Sequence, residues 1–276
     1  MKLAQYIDRE KKGIRLGCID TETERLRPLA FAGELPEWLA AGRPEELEGG
    51  DVPLAEIELT APVSRPGKII AIGLNYIEHA LEGNMKKPRE PLVFAKFPNA
   101  VCGPEAEIQW SMQITEKVDF EAELVAVIGE RASNVPTGKA LEKVLGYTCG
   151  NDVSARDLQF GDKQWVRGKS LDTFCPLGPW LVTGDELGDP QKLKISARLN
   201  GQLMQESSTA NMIFSVAELV SFLSRHFTLY PGDLIMTGTP SGVGVFREPP
   251  VFMADGDLIE IEIEKIGILA NRCRAY

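Results

Sequence analysis

The sequence predicts an α+β protein that is mainly β, with a small N-terminal unit over residues 1–65 and a larger body over residues 66–276. Three observations carry this. Stretches rich in Val and Ile recur at strand length, and some alternate apolar with polar residues as half-buried strands do. Asn200-Gly201, the strongest short hairpin signal, separates two of them. The clearest helix signal is a capping box of Ser215 and Glu218, opening an amphipathic stretch that ends near His226.

The N-terminal unit reads as a strand over residues 14–19, a polar turn over 20–24 and a short helix over 35–42 closed by Gly42. APVSRPG (61–67) is a linker, since two prolines and a glycine discourage continuous structure. Residues 68–74 form a strand that turns into a helical segment where His79 and Glu82, three apart, share a face. Residues 83–91 are polar and proline-broken, the composition of a mobile lid. DFEAELVAVIG (119–129) reads as a strand with Asp119, Glu121 and Glu123 on one side. Carboxylates so placed repel unless a cation sits between them, and a divalent ion taking oxygen ligands suits them. A solvated polar face is the other reading, and residues 259–264 repeat the alternation with no companion motif.

Further on, residues 137–145 read as helix and 147–151 as a strand ending at Asp152. Ser154 caps a helical turn from which Arg156 and Gln159 project together, and Lys169 follows in a loop of small residues. Strands over 193–199 and 203–206 flank the hairpin turn, and His226 complements a helix C-terminus. A PGD turn (231–233) leads to a strand over 234–236 and a glycine-rich loop, TGTPSGVG (237–244), whose amides suit a bound anion. This loop lacks the features of a P-loop or dinucleotide fingerprint. Strands over 258–264 and 266–270 complete the body.

Thirty basic against forty acidic side chains leave a net charge of −10, which argues against nucleic acid as partner. Five scattered cysteines in no CxxC arrangement argue against a disulfide framework or a zinc site, and two histidines exclude a three-histidine centre. Neither a secretory signal nor an apolar run of bilayer length is present. The expectation is a cytoplasmic protein with reduced thiols and no membrane partner.

GLNYIEHALE (73–82), DFEAELVAVIG (119–129), GNDVSARDLQ (150–159), GKSLDTFCPLGP (168–179) and YPGDLIMTGTPSGVG (230–244) together resemble the fumarylacetoacetate hydrolase superfamily. LDTFCPLGP and GVGVFREPP are most similar to its domain-containing protein 2 group. The resemblance implies a mixed β-roll, assembled as a homodimer. It implies that Glu121, Glu123 and Asp152 bind one Mg²⁺ or Mn²⁺, a choice that hard oxygen ligands also favour. It implies His79 and Glu82 as the catalytic pair that activates a water, with Lys169, and Arg156, Gln159 and Thr239 as substrate-binding residues. Asp119 falls outside the matched ligands and is assigned to the surroundings.

The expected substrate is a small anionic 2-oxo acid. The leading expectation is hydrolysis of a C–C bond in an acylpyruvate or related β-diketo acid, releasing pyruvate through a metal-stabilised enolate. Decarboxylation of oxaloacetate ranks second and isomerisation of an unsaturated 2-oxo diacid third, because all three pass through the same enolate. A metal-bound ligand-binding module is the non-enzymatic alternative.

Overall fold

The computed structural model describes residues 1–11 and 13–276. Among these residues the strands form a twelve-stranded mixed sheet, a five-stranded sheet and a two-stranded ribbon. The strand Ala122–Ile128 runs inside the large sheet, antiparallel to Val144–Asn151 on one side and to Leu234–Met236 on the other. All seven of its residues are buried, which explains an apolar run without alternation after Glu123. Leu234–Met236 pairs in parallel with Ile69–Gly73, and Leu92–Lys96 closes that end of the sheet.

The five-stranded sheet obeys the alternating rule. Leu258–Ile263 sends Ile259, Ile261 and Ile263 inward, each 1% exposed, while Glu262 is exposed and Glu260 half-buried. One apolar core joins these isoleucines to Leu124, Val125 and Val127 of the large sheet. Lys194–Leu199 and Gln202–Ser208 form the expected hairpin, with Asn200 at φ 51° and Gly201 at φ 79°, a turn whose twist matches that of the strands it joins. Ser215 and Glu218 form the reciprocal cap of the helix Val216–His226, and His226 Nδ1 bonds Phe222 O within its last turn. Lys2 and Leu3 pair with Val182 and Leu181, so residues 1–65 share a sheet with the body, although Ala4, Tyr6, Ile19 and Leu26 form a separate apolar cluster.

Several expectations are corrected. Ser154 lies in the short strand Ser154–Ala155 and does not cap the helix Arg156–Gly161, whose start has no side-chain cap, and Lys169 ends the helical turn Val166–Lys169 rather than lying in a loop. Residues 137–145 are not a helix: Thr137–Lys139 and Leu141–Lys143 are single 3₁₀ turns, and the strand begins at Val144. Pro136 starts the segment and Gly138 weakens it, so the helix-like spacing lacks the length to propagate. Residues 119–129 are not one strand. Val118–Asp119 pairs with Ser154–Ala155, Phe120 and Glu121 bridge the gap, and the long strand starts at Ala122. Asp119 causes the break, because its carboxylate is drawn to the amides of Phe120, Gly244 and Val245.

Candidate metal centre

Glu121, Glu123 and Asp152 meet in the interior, 6%, 1% and 0% exposed. One oxygen from each lies within 4.8 Å of the others. Strand pairing produces this. Ala122 faces Asn151 across the ladder, so the end of Val144–Asn151 delivers Asp152 beside the start of Ala122–Ile128. The join is pinned by Asp152 N donating to Glu121 O at 3.0 Å and by Glu121 N donating to Asn151 Oδ1 at 2.9 Å.

Cations surround two of the three acids. Lys169 Nζ lies 2.8 Å from Asp152 Oδ2 and 2.9 Å from Glu121 Oε2, and Lys96 Nζ lies 2.6 Å from Asp152 Oδ1. Arg156 donates from Nε to Asp119 Oδ2 at 2.8 Å and from Nη1 to Glu121 Oε1 at 2.6 Å and Gln159 Oε1 at 2.9 Å. Burial pushes the Glu121 carboxyl up, but Lys169, Arg156 and His79 together outweigh it and hold that group at about 2. Burial also opposes the charge on Lys169, yet Asp152 and Glu121 keep its acidity below that of an ordinary lysine.

Glu123 differs. Burial first, then the charges of Asp152 and Glu121, push its carboxyl well above the ordinary range, and its hydrogen-bond donor is the amide of Gly238 at 2.8 Å. Three cations face four carboxylates here, leaving one negative charge over. A buried acid pressed by like charges, in a set of hard oxygen donors, fits a divalent cation. Glu121, Glu123 and Asp152 are the residues that would hold it.

His79 and Glu82 belong to the short helix Ile77–Glu82. His79 is 7% exposed, so it is not the surface histidine that its polar neighbours permit. Its Nδ1 lies 3.3 Å from Glu82 Oε2, and its ring stands 6.0 Å from that of Phe246. Glu82 Oε1 accepts from Gly242 N at 2.9 Å.

The glycine-rich loop does receive anions, and they are the protein's own carboxylates. Gly238 N serves Glu123, Gly242 N serves Glu82, and Gly244 N with Val245 N serves Asp119 at 2.8 and 3.0 Å. Glycine is required at all three glycine donors: Gly238 and Gly242 have φ 99° and 102°, and a Cβ on Gly244 would stand 2.7 Å from Asp119 Oδ1 and overlap Val251 O. Asn75, bonded to Thr237 O and to both backbone groups of Phe214, holds the start of this loop.

All nine candidates from the sequence thus lie in or beside one buried cluster. Arg156 and Lys169 are already engaged by the acids, Gln159 bonds Arg156, and Thr239 Oγ1 accepts from Gln205 Nε2. Lys96 was not among the candidates. Its signal was a lysine at the end of the apolar run LVFA, where a fully buried ammonium demands a buried acid.

The fold and this cluster define a β-rich protein with a buried carboxylate triad able to hold a divalent cation, beside a histidine–glutamate pair. The chain belongs to the fumarylacetoacetate hydrolase family: the fumarylacetoacetate (FAA) hydrolase C-terminal domain matches residues 68–274. It is 48% identical over 223 residues, 80% of this chain and 71% of the relative, to oxaloacetate tautomerase FAHD2B, mitochondrial, of Bos taurus. Fumarylacetoacetate hydrolase from psychrophilic Exiguobacterium antarcticum superposes with a TM-score of 0.91 at 35% identity, covering 100% of both chains. Maleylpyruvate hydrolase from Sphingobium sp. SYK-6, solved in complex with manganese (II) ion and pyruvate, gives 0.80 at 29%, covering 100% of this chain and 99% of that one. Among the described residues no helix is long and apolar enough to cross a membrane.

Proposed function

We propose that this chain is a divalent-cation-dependent enzyme that interconverts the keto and enol forms of oxaloacetate or a closely related 2-oxo diacid. The observation that carries the reading is the orientation of His79. Glu82 accepts from the Nδ1 side, which leaves Nε2 to accept or return a proton, and His79 lies close enough to help hold the Glu121 carboxyl below its ordinary pKa. A group so placed can exchange a proton with the carbon next to the 2-oxo carbonyl. Gly242 N fixes Glu82, and Glu82 fixes the tautomer of His79.

A Mg²⁺ or Mn²⁺ ion held by Glu121, Glu123 and Asp152 would supply positive charge toward the carboxylate and 2-oxo oxygens of the substrate. With a dication the cluster changes from one negative to one positive charge in excess, which reconciles an acidic protein with an anionic substrate. The bovine relative's name, an oxaloacetate tautomerase, favours proton transfer as the main reaction.

Hydrolysis of acylpyruvates is the second reading, favoured by the maleylpyruvate hydrolase neighbour: the same pair that moves a proton at carbon can orient and deprotonate a water. The test is the decay of enol-oxaloacetate absorbance with Mg²⁺, with Mn²⁺ and with a chelator, beside assays for pyruvate release from acylpyruvates and CO₂ release from oxaloacetate. Cation-dependent enol decay without CO₂ supports the reading. Decay no faster with cation than with chelator sinks it, and absence of every product favours a ligand-binding module.

A homodimer is the proposed assembly, to be read by light scattering in solution. The cytoplasm is the proposed compartment, to be read by localising the tagged chain, whereas the bovine relative is named as mitochondrial.

A further inference from the structure

Gln205 lies on Gln202–Ser208, in a different sheet from Glu123, yet it is 1% exposed and bonded to the centre's framework. Its Oε1 accepts from Ala122 N at 2.9 Å, and its Nε2 donates to Thr239 Oγ1 and to Pro240 O at 2.8 Å each. Two of these partners allow one role only. A backbone N–H donates and a carbonyl accepts, so Ala122 and Pro240 lock the amide with its oxygen toward the metal strand and its nitrogen toward the glycine-rich loop.

Thr239, which by itself accepts or donates, is thereby obliged to accept. Its hydroxyl keeps one proton, and among the described residues no acceptor takes it. The residue is 3% exposed and follows Gly238, whose amide holds Glu123 Oε2. That proton is therefore left for a ligand, on the residue next to the amide that holds Glu123.

We infer that Gln205 is a positioning residue that fixes Thr239 as a hydrogen-bond donor toward the oxygens of an anionic 2-oxo acid; the identity of that ligand rests on the functional reading above. Because Ala122 separates Glu121 from Glu123, the same amide ties this donor to the register of the metal strand. A hydroxyl that already accepts one bond, with its proton unclaimed, favours ligands that bring an acceptor.

The experiment is calorimetry of pyruvate binding to the Mn²⁺-loaded protein in four forms: wild type, Gln205→Met, Thr239→Val and the double variant. Each single substitution is expected to weaken pyruvate by about tenfold, the loss of one hydrogen bond to a charged group. The double variant should bind pyruvate no more weakly than Thr239→Val alone, with Mn²⁺ affinity unchanged within about twofold across the set. Equal weakening by Gln205→Met in both backgrounds, or none in the wild-type background, overturns the inference.

Should Gln205→Met fail to fold, NMR of the Gln205 side-chain amide keeps the question open to refutation. Both Nε2 protons should resist exchange with solvent in the wild type, and one should shift in Thr239→Val; free exchange overturns the inference. Thr239-dependent pyruvate binding without enol-oxaloacetate turnover would sink the reaction and leave this assignment standing. Turnover with pyruvate affinity indifferent to Gln205 would do the reverse, and absence of pyruvate binding would overturn both.

Discussion

Ala122–Ile128 with the preceding Glu121, and Leu258–Ile263 with the following Glu264, spell the same pattern of glutamates spaced by two, with opposite results. Glu121 and Glu123 are buried, joined by Asp152 and met by cations from other elements. Glu260 stands across the ladder from Arg198 and Ala270, Glu262 is exposed, and Glu264 accepts from Lys194 N at 3.1 Å beside solvent. Spacing decides only that side chains point the same way. Whether that side is a low-dielectric interior, where like charges force a cation or a proton into place, follows from where the strand lies in its sheet.

The largest expected effect tests the cations behind the first pattern. Lys96→Met leaves Asp152 with Lys169 as its one remaining cation in a buried site, and should cost about 3 kcal/mol in chemical denaturation of the cation-free protein. A loss under about 1 kcal/mol would show that Asp152 tolerates burial half-paired and would weaken the contrast.

Next comes the cation itself. Glu123→Gln should lower Mn²⁺ affinity in calorimetry by more than about a hundredfold, the upper range for removing an outer partner of a ligand. An unchanged affinity would remove Glu123 from the ligand set.

A pH series sharpens the comparison further. In the fold, burial and the charges of Asp152 and Glu121 hold Glu123 well above the ordinary 4.5, so the folded chain keeps a proton that the unfolded chain releases. This contribution makes the cation-free protein less stable as pH rises above 4.5 toward the raised value, while cation binding, which needs the carboxylate, strengthens over the same window. Glu121, held at about 2 against 4.5, works the other way: its stabilisation is complete above 4.5 and fades as pH falls toward 2. The rise in Tm produced by Mn²⁺ should therefore grow with pH above 4.5, and a flat response would count against a proton on Glu123.

The smallest effect belongs to the control. Glu262→Gln should change stability by less than about 0.5 kcal/mol and Mn²⁺ affinity not at all, as surface substitutions do. A larger change in either would mean that the second strand also holds charge for a purpose.

Much of the fold was legible wherever its cause lies within a few residues. Asn200-Gly201 makes its turn from its own dihedrals, and Ser215 meets Glu218 across one helical turn. The helix over 137–145 failed for a related reason: local spacing was present, but Gly138 and the pairing of Val144–Asn151 overrode it. The members of the carboxylate triad were legible from motifs. Lys96 and Gln205 were not, because their partners are remote: Asp152 lies 56 residues from Lys96, and Ala122 and Thr239 lie 83 and 34 from Gln205.

By itself, then, the sequence determined the β character, the hairpin, the capped helix and the residue types able to bind a hard cation. Only the tertiary structure decided which glutamates leave water, which lysines follow them and which way the amide of Gln205 faces. The reason is the range of the forces. Backbone preferences act between near neighbours, whereas the desolvation that makes a carboxylate demand a partner exists only once distant strands have closed around it.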